Sequence, residues 1–388
     1  MRSFLAMSPA VFLTGARSPG PVRCACLQVL VRPGGCTGMD DETLQAIVQG
    51  AIEAQEAGEV HFSWQGAEPM EQGLDFFRRA LALQHAHAPG RTVRNTLHTG
   101  GTLIDDAWAA FLAAAGFAVT LHVDGPPGLL AAQPGARDDR LLHGIGRLQA
   151  HGVEFQACTA VSALNAHHPL AVYRYLKEIG ARQMQFVPLV EQSEDCGGPR
   201  RAPRDVELSR RTVGSIAYGR FLTSVFGEWV RHDVGRVFVH LFDSTLQAWV
   251  HGRASLCSFA ETCERKLAIE HDGSVYACER YLDAGHRLGS LEEASLPDLL
   301  AAREQRAFEE AKRDTLPSQC RRCDVLAACR GGCPRHRFPN AAAGGAAVNY
   351  LCAGYRHFFR TVAPHMRAMG VLLRQGRPAS DIMRFSPR

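Results

Sequence analysis

The sequence predicts an α/β protein: a parallel sheet in its first half, then an irregular module organised by cysteines. Three observations carry that prediction. Short β-branched segments alternate with amphipathic helical ones from Asp40 to Val187. A linker rich in Gly, Pro and charge follows at residues 191–205. Eight of the 13 cysteines then crowd between Cys257 and Cys352. Strands alternating with helices of this length pair in parallel, as a barrel or as a doubly wound sheet, with functional loops at the strand C-termini.

The elements follow in order. Asp40-Asp41 opens a helix running towards Ala57, with acidic residues where the helix dipole favours them. Strand and helix segments then alternate: 60–64 and 74–87, 93–97 and 105–115, 117–123 and 139–151, 153–161 and 169–180, with a last strand at 184–187. Helical stretches at 206–232 and 238–249 close this half. From Leu256 periodicity is weak and turns are frequent, so the segment is not expected to build a large apolar core of its own; bound metal is its plausible organiser. At the other end Ser3–Met7 reads as a first strand, and residues 8–38, rich in Pro, Gly and Arg, show no period. The expected units are an altered or disordered segment at 1–38, the α/β domain at 39–235, a helical linker at 236–255, the cysteine module at 256–375 and a tail at 376–388.

Composition narrows the function. The 43 basic and 39 acidic side chains leave a net charge of +4, only three of the basic residues are lysines, and the arginines form no long block. No nucleic-acid partner is expected. The longest apolar stretch, Ala107–Leu121, is 15 residues and is interrupted by Gly116, too short to span a bilayer. Ser8-Pro9 breaks the apolar run near the N-terminus, so the reading is a cytoplasmic chain with reduced thiols rather than a disulfide scaffold.

The clustered cysteines form two runs, Cys257-x5-Cys263-x14-Cys278 and Cys320-x2-Cys323-x5-Cys329-x3-Cys333-x18-Cys352. Eight thiolates suffice for two four-coordinate sites, and thiolate-only sites select zinc or iron–sulfur clusters. Spacing alone leaves both metals open. His85, His87, His167 and His168 lack matching ligands and read as surface residues, and Cys158 reads as a core thiol.

The cysteine region resembles the SPASM domain of radical S-adenosylmethionine (radical SAM) proteins, more narrowly that of the anaerobic sulfatase-maturating enzymes. The likeness extends through the first half. Phe62–Pro69 looks like the family's GGEP segment, with Ala67 at its second glycine; His98–Thr102 resembles the QTNGT segment; Leu121–Pro126 resembles S-x-D-G-P, with His122 in place of the serine. The resemblance implies a partial (β/α)6 TIM-like barrel of radical SAM type followed by an irregular iron–sulfur SPASM domain. It implies two auxiliary [4Fe-4S] clusters, one on Cys257, Cys263, Cys278 and Cys333, the other on Cys320, Cys323, Cys329 and Cys352. S-adenosyl-L-methionine would be held by Gly66, Ala67, Glu68 and Pro69, with His122 near its nucleoside. Gln65 would face the substrate peptide, and Glu279, where the family carries an aspartate, would be the base. The implied reaction oxidises a cysteine or serine of an unfolded sulfatase segment, or of another such peptide, to formylglycine, with a reducing electron donor as further partner.

One part of the pattern is missing. A radical SAM enzyme carries C-x3-C-x2-C after its first strand, so that three thiolates leave one iron open for S-adenosylmethionine. Here the N-terminal cysteines are Cys24, Cys26 and Cys36, separated by one and nine residues. A third cluster is therefore not implied, and the alternative to an active maturase is a catalytically silent iron–sulfur paralogue that binds a peptide or regulates.

Overall fold

The computed structural model describes residues 26–31, 39–55, 59–129, 135–192, 208–339 and 347–385. The strands are β1 (Cys26–Val31), β2 (Val60–Gly66), β3 (Val93–Thr99), β4 (Ala118–His122), β5 (Phe155–Val161), β6 (Gln183–Pro188), β7 (Phe238–Val239), β8 (Lys266–Glu270), β9 (Ser274–Tyr276) and β10 (Arg287–Ser290). They form one sheet of ten strands in the order β10-β9-β8-β1-β2-β3-β4-β5-β6-β7. From β8 through β1 to β7 every pairing is parallel, and the β8–β9 and β9–β10 pairings are antiparallel. The sheet is open, with β7 and β10 at its two edges.

Helices α1 (Asp41–Glu53), α2 (Gly73–His87), α3 (Asp106–Ala115), α4 (Gly135–Ala150) and α5 (Pro169–Glu178) connect successive strands. Their starts follow from side-chain caps: Asp40 accepts from the Thr43 amide at 2.7 Å and Asp105 from the Trp108 amide at 2.8 Å. Strand alternation separates two faces. Val60, Phe62 and Trp64 of β2 turn to the helices, where Trp64 meets Phe76 and Phe77 edge to face. The buried Trp64 indole donates to Asn95, which also pairs with Gln84, so the polar atoms on this apolar side are satisfied. His61, Ser63 and Gln65 of the same strand lie on the other face, with Thr96 and His98 of β3, Thr120 and His122 of β4, and Gln156 and Cys158 of β5. That second face is polar and half-buried. It is the floor of the candidate site.

Two expectations are corrected here. The strand beside β2 is Cys26–Val31, inside the segment read as unstructured, whereas Ser3–Met7 lies outside the described residues. The signal was a short apolar run, Cys26-Leu27-Gln28-Val29-Leu30-Val31, overshadowed by the Pro and Gly around it. The cysteine-rich part is also less separate than its texture suggested. Its β8 pairs directly with β1, and Phe259, Leu267, Ile269, Val275 and Leu296 belong to the same apolar core as the α/β half. Ala379 and Ile382, in the stretch read as a tail, are buried in that core too.

After β7 come α7 (His240–His251), α8 (Leu296–Ala301), α9 (Arg303–Asp314) and α10 (Cys352–Arg374); α6 (Ser215–His232) precedes β7. Glu228 of α6 is anchored to α5 by Arg174 and Lys177, and Lys177 also reaches Asp233 at 2.9 Å. Burial alone would raise the Glu228 carboxyl, but the hydrogen bonds from Arg174 and Lys177 hold it below its ordinary range. Helices α6 and α10 cross at two glycines. A Cβ on Gly354 would stand 2.0 Å from the Ser215 carbonyl oxygen, and one on Gly219 would stand 2.6 Å from the Gly354 backbone. This crossing fixes the start of α10, where Cys352 sits. Gly354→Ala should therefore push the helices apart, costing roughly 1–3 kcal/mol as overpacking does. Thermal unfolding would show a lowered Tm, whereas Gly146→Ala, where an added Cβ meets nothing within 4 Å, should leave Tm nearly unchanged; equal stability of the two variants would refute the close crossing.

Candidate active site and cysteine sets

The loops after β2, β3 and β4 leave the same edge of the sheet and are stitched together. Glu68 accepts from the Met70 amide at 3.2 Å through one oxygen, and from Thr99 Oγ1 at 2.8 Å and the Gly100 amide at 3.0 Å through the other. It thus ties the loop after β2 to the end of β3, while Gly66 and Ala67 beside it stay exposed and Pro69 is buried. Asp124, in the loop after β4, accepts from the Ala160 amide at 2.8 Å. Thr159 donates to the Val123 carbonyl at 2.6 Å. These bonds fix the loops before any ligand arrives.

On the polar face two histidines meet: the rings of His98 and His122 lie 6.2 Å apart, tilted by 41°. His61 Nε2 is 2.7 Å from Thr96 Oγ1, deeper along the strands. Burial, and then the nearby His122 and His61, push His98 down to about 4, with Glu279 the one opposing influence. So His98 is neutral at physiological pH, and Glu279, one residue beyond Cys278, is close enough to act on it. Glu279 is not a free surface carboxylate: its side chain is 28% exposed, Cys278 Sγ approaches one oxygen at 3.1 Å, and Arg280 Nε lies 3.7 Å from the other. Gln65 ends the polar row of β2 with its Nε2 buried and without a hydrogen-bond partner, a donor left for something else.

The nine cysteines from Cys158 onward among the described residues are free thiols. Eight of them divide by mutual influence. Cys257 feels Cys333; Cys263 feels Cys257 and Cys333; Cys278 feels Cys257. Separately, Cys320 feels Cys352 and Cys323, Cys329 feels Cys352, Cys320 and Cys323, and Cys352 feels Cys323. No group of three or more His, Cys, Asp or Glu among the described residues is gathered as a single metal ion would require. Burial raises Cys257, Cys263, Cys278, Cys320, Cys329 and Cys352, with Cys263 reaching about 11 and Cys329 about 12. The ninth, Cys158 on the polar face, is raised by burial to about 12 as well.

Cations close around the first set. Lys312, 1% exposed, donates through Nζ to the Cys257 carbonyl. Arg337 donates to the Lys312 carbonyl at 2.9 Å and to the carbonyls of Gly331, Arg330 and Gly332. It can do so because Gly331 and Gly332, at φ 76° and 66°, fold the chain between Cys329 and Cys333 back on itself. Arg280, although burial opposes its charge, is held above its ordinary range by Cys333, Glu279, Cys257 and Cys278. Neither Lys312 nor Arg337 has a carboxylate partner among the described residues. Buried cations demand a buried anion, and an iron–sulfur cluster held by four thiolates is a net anion. The donor set fits that group.

A parallel α/β sheet with this strand-end edge and a cysteine-rich extension defines a radical SAM protein with a SPASM region. Residues 257–324 match the SPASM family, described as an iron–sulfur cluster-binding domain. Over 356 residues the chain is 34% identical to the serine-type anaerobic sulfatase-maturating enzyme of Bacteroides thetaiotaomicron, covering 89% of this chain and 86% of that protein. It is 36% identical over 342 residues to the serine-type enzyme of Klebsiella aerogenes, covering 85% of this chain and 79% of the relative. The solved structure of native anSMEcpe with bound AdoMet and Cp18Cys peptide superposes with a TM-score of 0.78 at 26% identity, over 90% of this chain and 99% of that one. Streptococcus suis SuiB, at 16% identity and a TM-score of 0.55 over 80% of this chain and 73% of its own, shares the fold. The chain belongs to the anaerobic sulfatase-maturating enzymes.

Sequence reading pointed to Glu68, His122, Gln65, Glu279 and the eight clustered cysteines, and the structure places the first four beside the polar face. It missed His61, the influence of Glu279 on His98, the buried Lys312 and the half-buried Arg337. Only three lysines in the chain made Lys312 conspicuous, but nothing in the spacing told that it was buried. The apo thiols provide a test. With Cys263 and Cys329 raised to about 11 and 12, they stay protonated at pH 8, so iodoacetamide should label them far more slowly in apo protein than in the unfolded chain, and labelling should climb as pH rises. Equal labelling rates at pH 8, read by peptide mass spectrometry, would contradict the burial described.

Proposed function

We propose that this chain is a maturase of the serine class, converting the hydroxymethyl group of a serine in an extended sulfatase segment to the aldehyde of formylglycine. The observation that carries the reading is a neutral His98, within electrostatic reach of Glu279, on a polar face beside prefixed strand-end loops. The serine class is supported by identity: serine-type relatives share 34 to 36%, cysteine-type ones 26 to 29%.

S-adenosylmethionine and the iron–sulfur clusters supply the one-electron chemistry; the chain's residues do the rest. The exposed Gly66 and Ala67, with Glu68 and Pro69 shaping the turn, would hold the amino group of S-adenosylmethionine, with His122 at its nucleoside side. Gln65 Nε2 would donate to the peptide backbone beside the reacting serine. Oxidation of an alcohol to an aldehyde removes two protons and two electrons, and Glu279 would accept the hydroxyl proton. Cys257, Cys263, Cys278 and Cys333 would ligate one [4Fe-4S] cluster and Cys320, Cys323, Cys329 and Cys352 the other, in line with the division of the thiols. Each loses its proton on binding iron, so cluster assembly also stabilises this part of the fold.

A second reading, a silent peptide-binding paralogue, is favoured by one specific observation. Cys26 is the first residue of β1, at the strand's far end from the loops after β2, β3 and β4, so that only Cys36 lies in sequence between β1 and α1. One thiolate cannot hold three irons. The unmodified protein, reduced with dithionite under anaerobic conditions with S-adenosylmethionine and a serine-containing sulfatase peptide, should form little 5′-deoxyadenosine. Inserting a C-x3-C-x2-C loop between β1 and α1 should yield 5′-deoxyadenosine and formylglycine, and Glu279→Gln in that background should lower formylglycine by at least tenfold. A loop-restored protein that cleaves S-adenosylmethionine but never oxidises the peptide would favour the silent paralogue. Robust 5′-deoxyadenosine from the unmodified chain would show that the initiating site is built otherwise.

A further inference from the structure

The two thiol sets differ in the fixed charge around them. Near the first set lie Lys312, Arg337, Arg280 and Lys266, against Glu279 and Glu264. Lys266 is already paired with Glu264, and Arg280 with Glu279. That leaves Lys312 and Arg337 as cations uncompensated by any carboxylate among the described residues. Lys312 is the more confined: it is almost fully buried, its ammonium donates to the Cys257 carbonyl, and α9 carries it close to Cys257, Cys263 and Cys333. Arg337 stands at the border, facing Cys263 and Cys333 on one side and Cys320 on the other. Its guanidinium is locked by carbonyls of the Arg330–Gly332 turn and of Lys312, so it cannot swing away to solvent. The second set has Arg337 near Cys320 and Arg356, which is exposed to solvent, near Cys352; Asp324, 3.7 Å from Cys323 Sγ, is paired with Arg360 at 2.8 Å.

A fixed cation beside a cluster favours its reduced, more negative state, and does so strongly where water is excluded. We propose that Lys312 and Arg337 are positioning charges that set the order of the two auxiliary potentials, making the cluster on Cys257, Cys263, Cys278 and Cys333 the more easily reduced, with Arg337 acting on both. This rests on the two-cluster reading. The thiols that act on Lys312 are Cys257, Cys263 and Cys333, all of the first set, whereas Cys320 of the second set acts on Arg337 as well.

The test is an EPR-monitored redox titration of the full chain after anaerobic reconstitution, with iron and sulfide counted on every sample. The Cys323→Ala background, which should keep only the first cluster, assigns the signals. In the wild type the first cluster should reduce at the higher potential. Lys312→Gln should shift that cluster to a lower potential and leave the second in place, while Lys312→Arg, which keeps the charge, should return it to the wild-type value. Arg337→Gln should lower both, and Arg337→Lys should restore both. Each substitution also changes the packing, so potentials are compared only between samples whose iron and sulfide counts match the wild type; a structural role alone would not make them follow the charge. Wild-type potentials in the reverse order, a Lys312→Gln shift shared equally by both clusters, or a Lys312→Arg potential as low as that of Lys312→Gln would overturn the proposal. Iron for only one cluster in the wild type would instead overturn the two-cluster reading on which it stands.

Discussion

The pairing of β1 between β2 and β8 is the constraint on which the rest of the molecule depends. Five register pairs join β1 to β8 and six join it to β2, all parallel. One strand therefore belongs at once to the α/β half and to the cysteine-rich part, and the two share one core. Through β8 and β9 the sheet delivers Cys278 and Glu279 to the polar face. Through the α6–α10 glycine crossing, the far end of the same half delivers Cys352. The polar face, Cys278 and Cys352 are fixed relative to one another by sheet and helix packing, before any cluster binds.

What packing does not supply is the charge balance. Lys312 and Arg337 are held among backbone carbonyls with no carboxylate partner among the described residues, and Cys257 and Cys263 beside them are pushed towards their neutral form by burial. In the metal-free state this is a cluster of mismatched polar groups. Binding an anionic cluster resolves both sides together: thiols become thiolates, and the cations gain their counter-charge. The polar face is balanced differently. His98 is kept neutral by burial and by the neighbouring His122 and His61, and the buried, unpartnered Nε2 of Gln65 is available to a peptide.

Much of this was legible in the sequence, for reasons that are local. The strand–helix alternation from Asp40 to Val187 reads directly because each element carries its own period and cap, as Asp40 and Asp105 show. The cysteine spacing and the three strand-end segments are also contiguous, so Glu68, His122 and Glu279 could be singled out. The failures lie where a contact joins distant stretches. β1 is six residues of ordinary apolar sequence whose meaning comes from β2 and β8, some 35 and 240 residues away. His98 gained its role only when the fold brought Glu279 within electrostatic reach of it, and Lys312 looks like any helical lysine until α9 is packed against Cys257. Texture misled most after Leu256, where weak periodicity suggested a separate module and the fold instead extended the sheet.

Hydrogen exchange on metal-free and cluster-loaded protein is the most direct test of this division of labour. If β8 belongs to the main sheet and only the cysteine-bearing turns depend on clusters, amides of Lys266–Glu270 should be as protected without clusters as with them, matching β2. The stretch from Lys312 to Cys333 should gain protection only on loading. Loss of protection in β8 together with that stretch, while β2 stays closed, would mean that the cysteine-rich part folds as an independent metal-dependent unit, contrary to the account given.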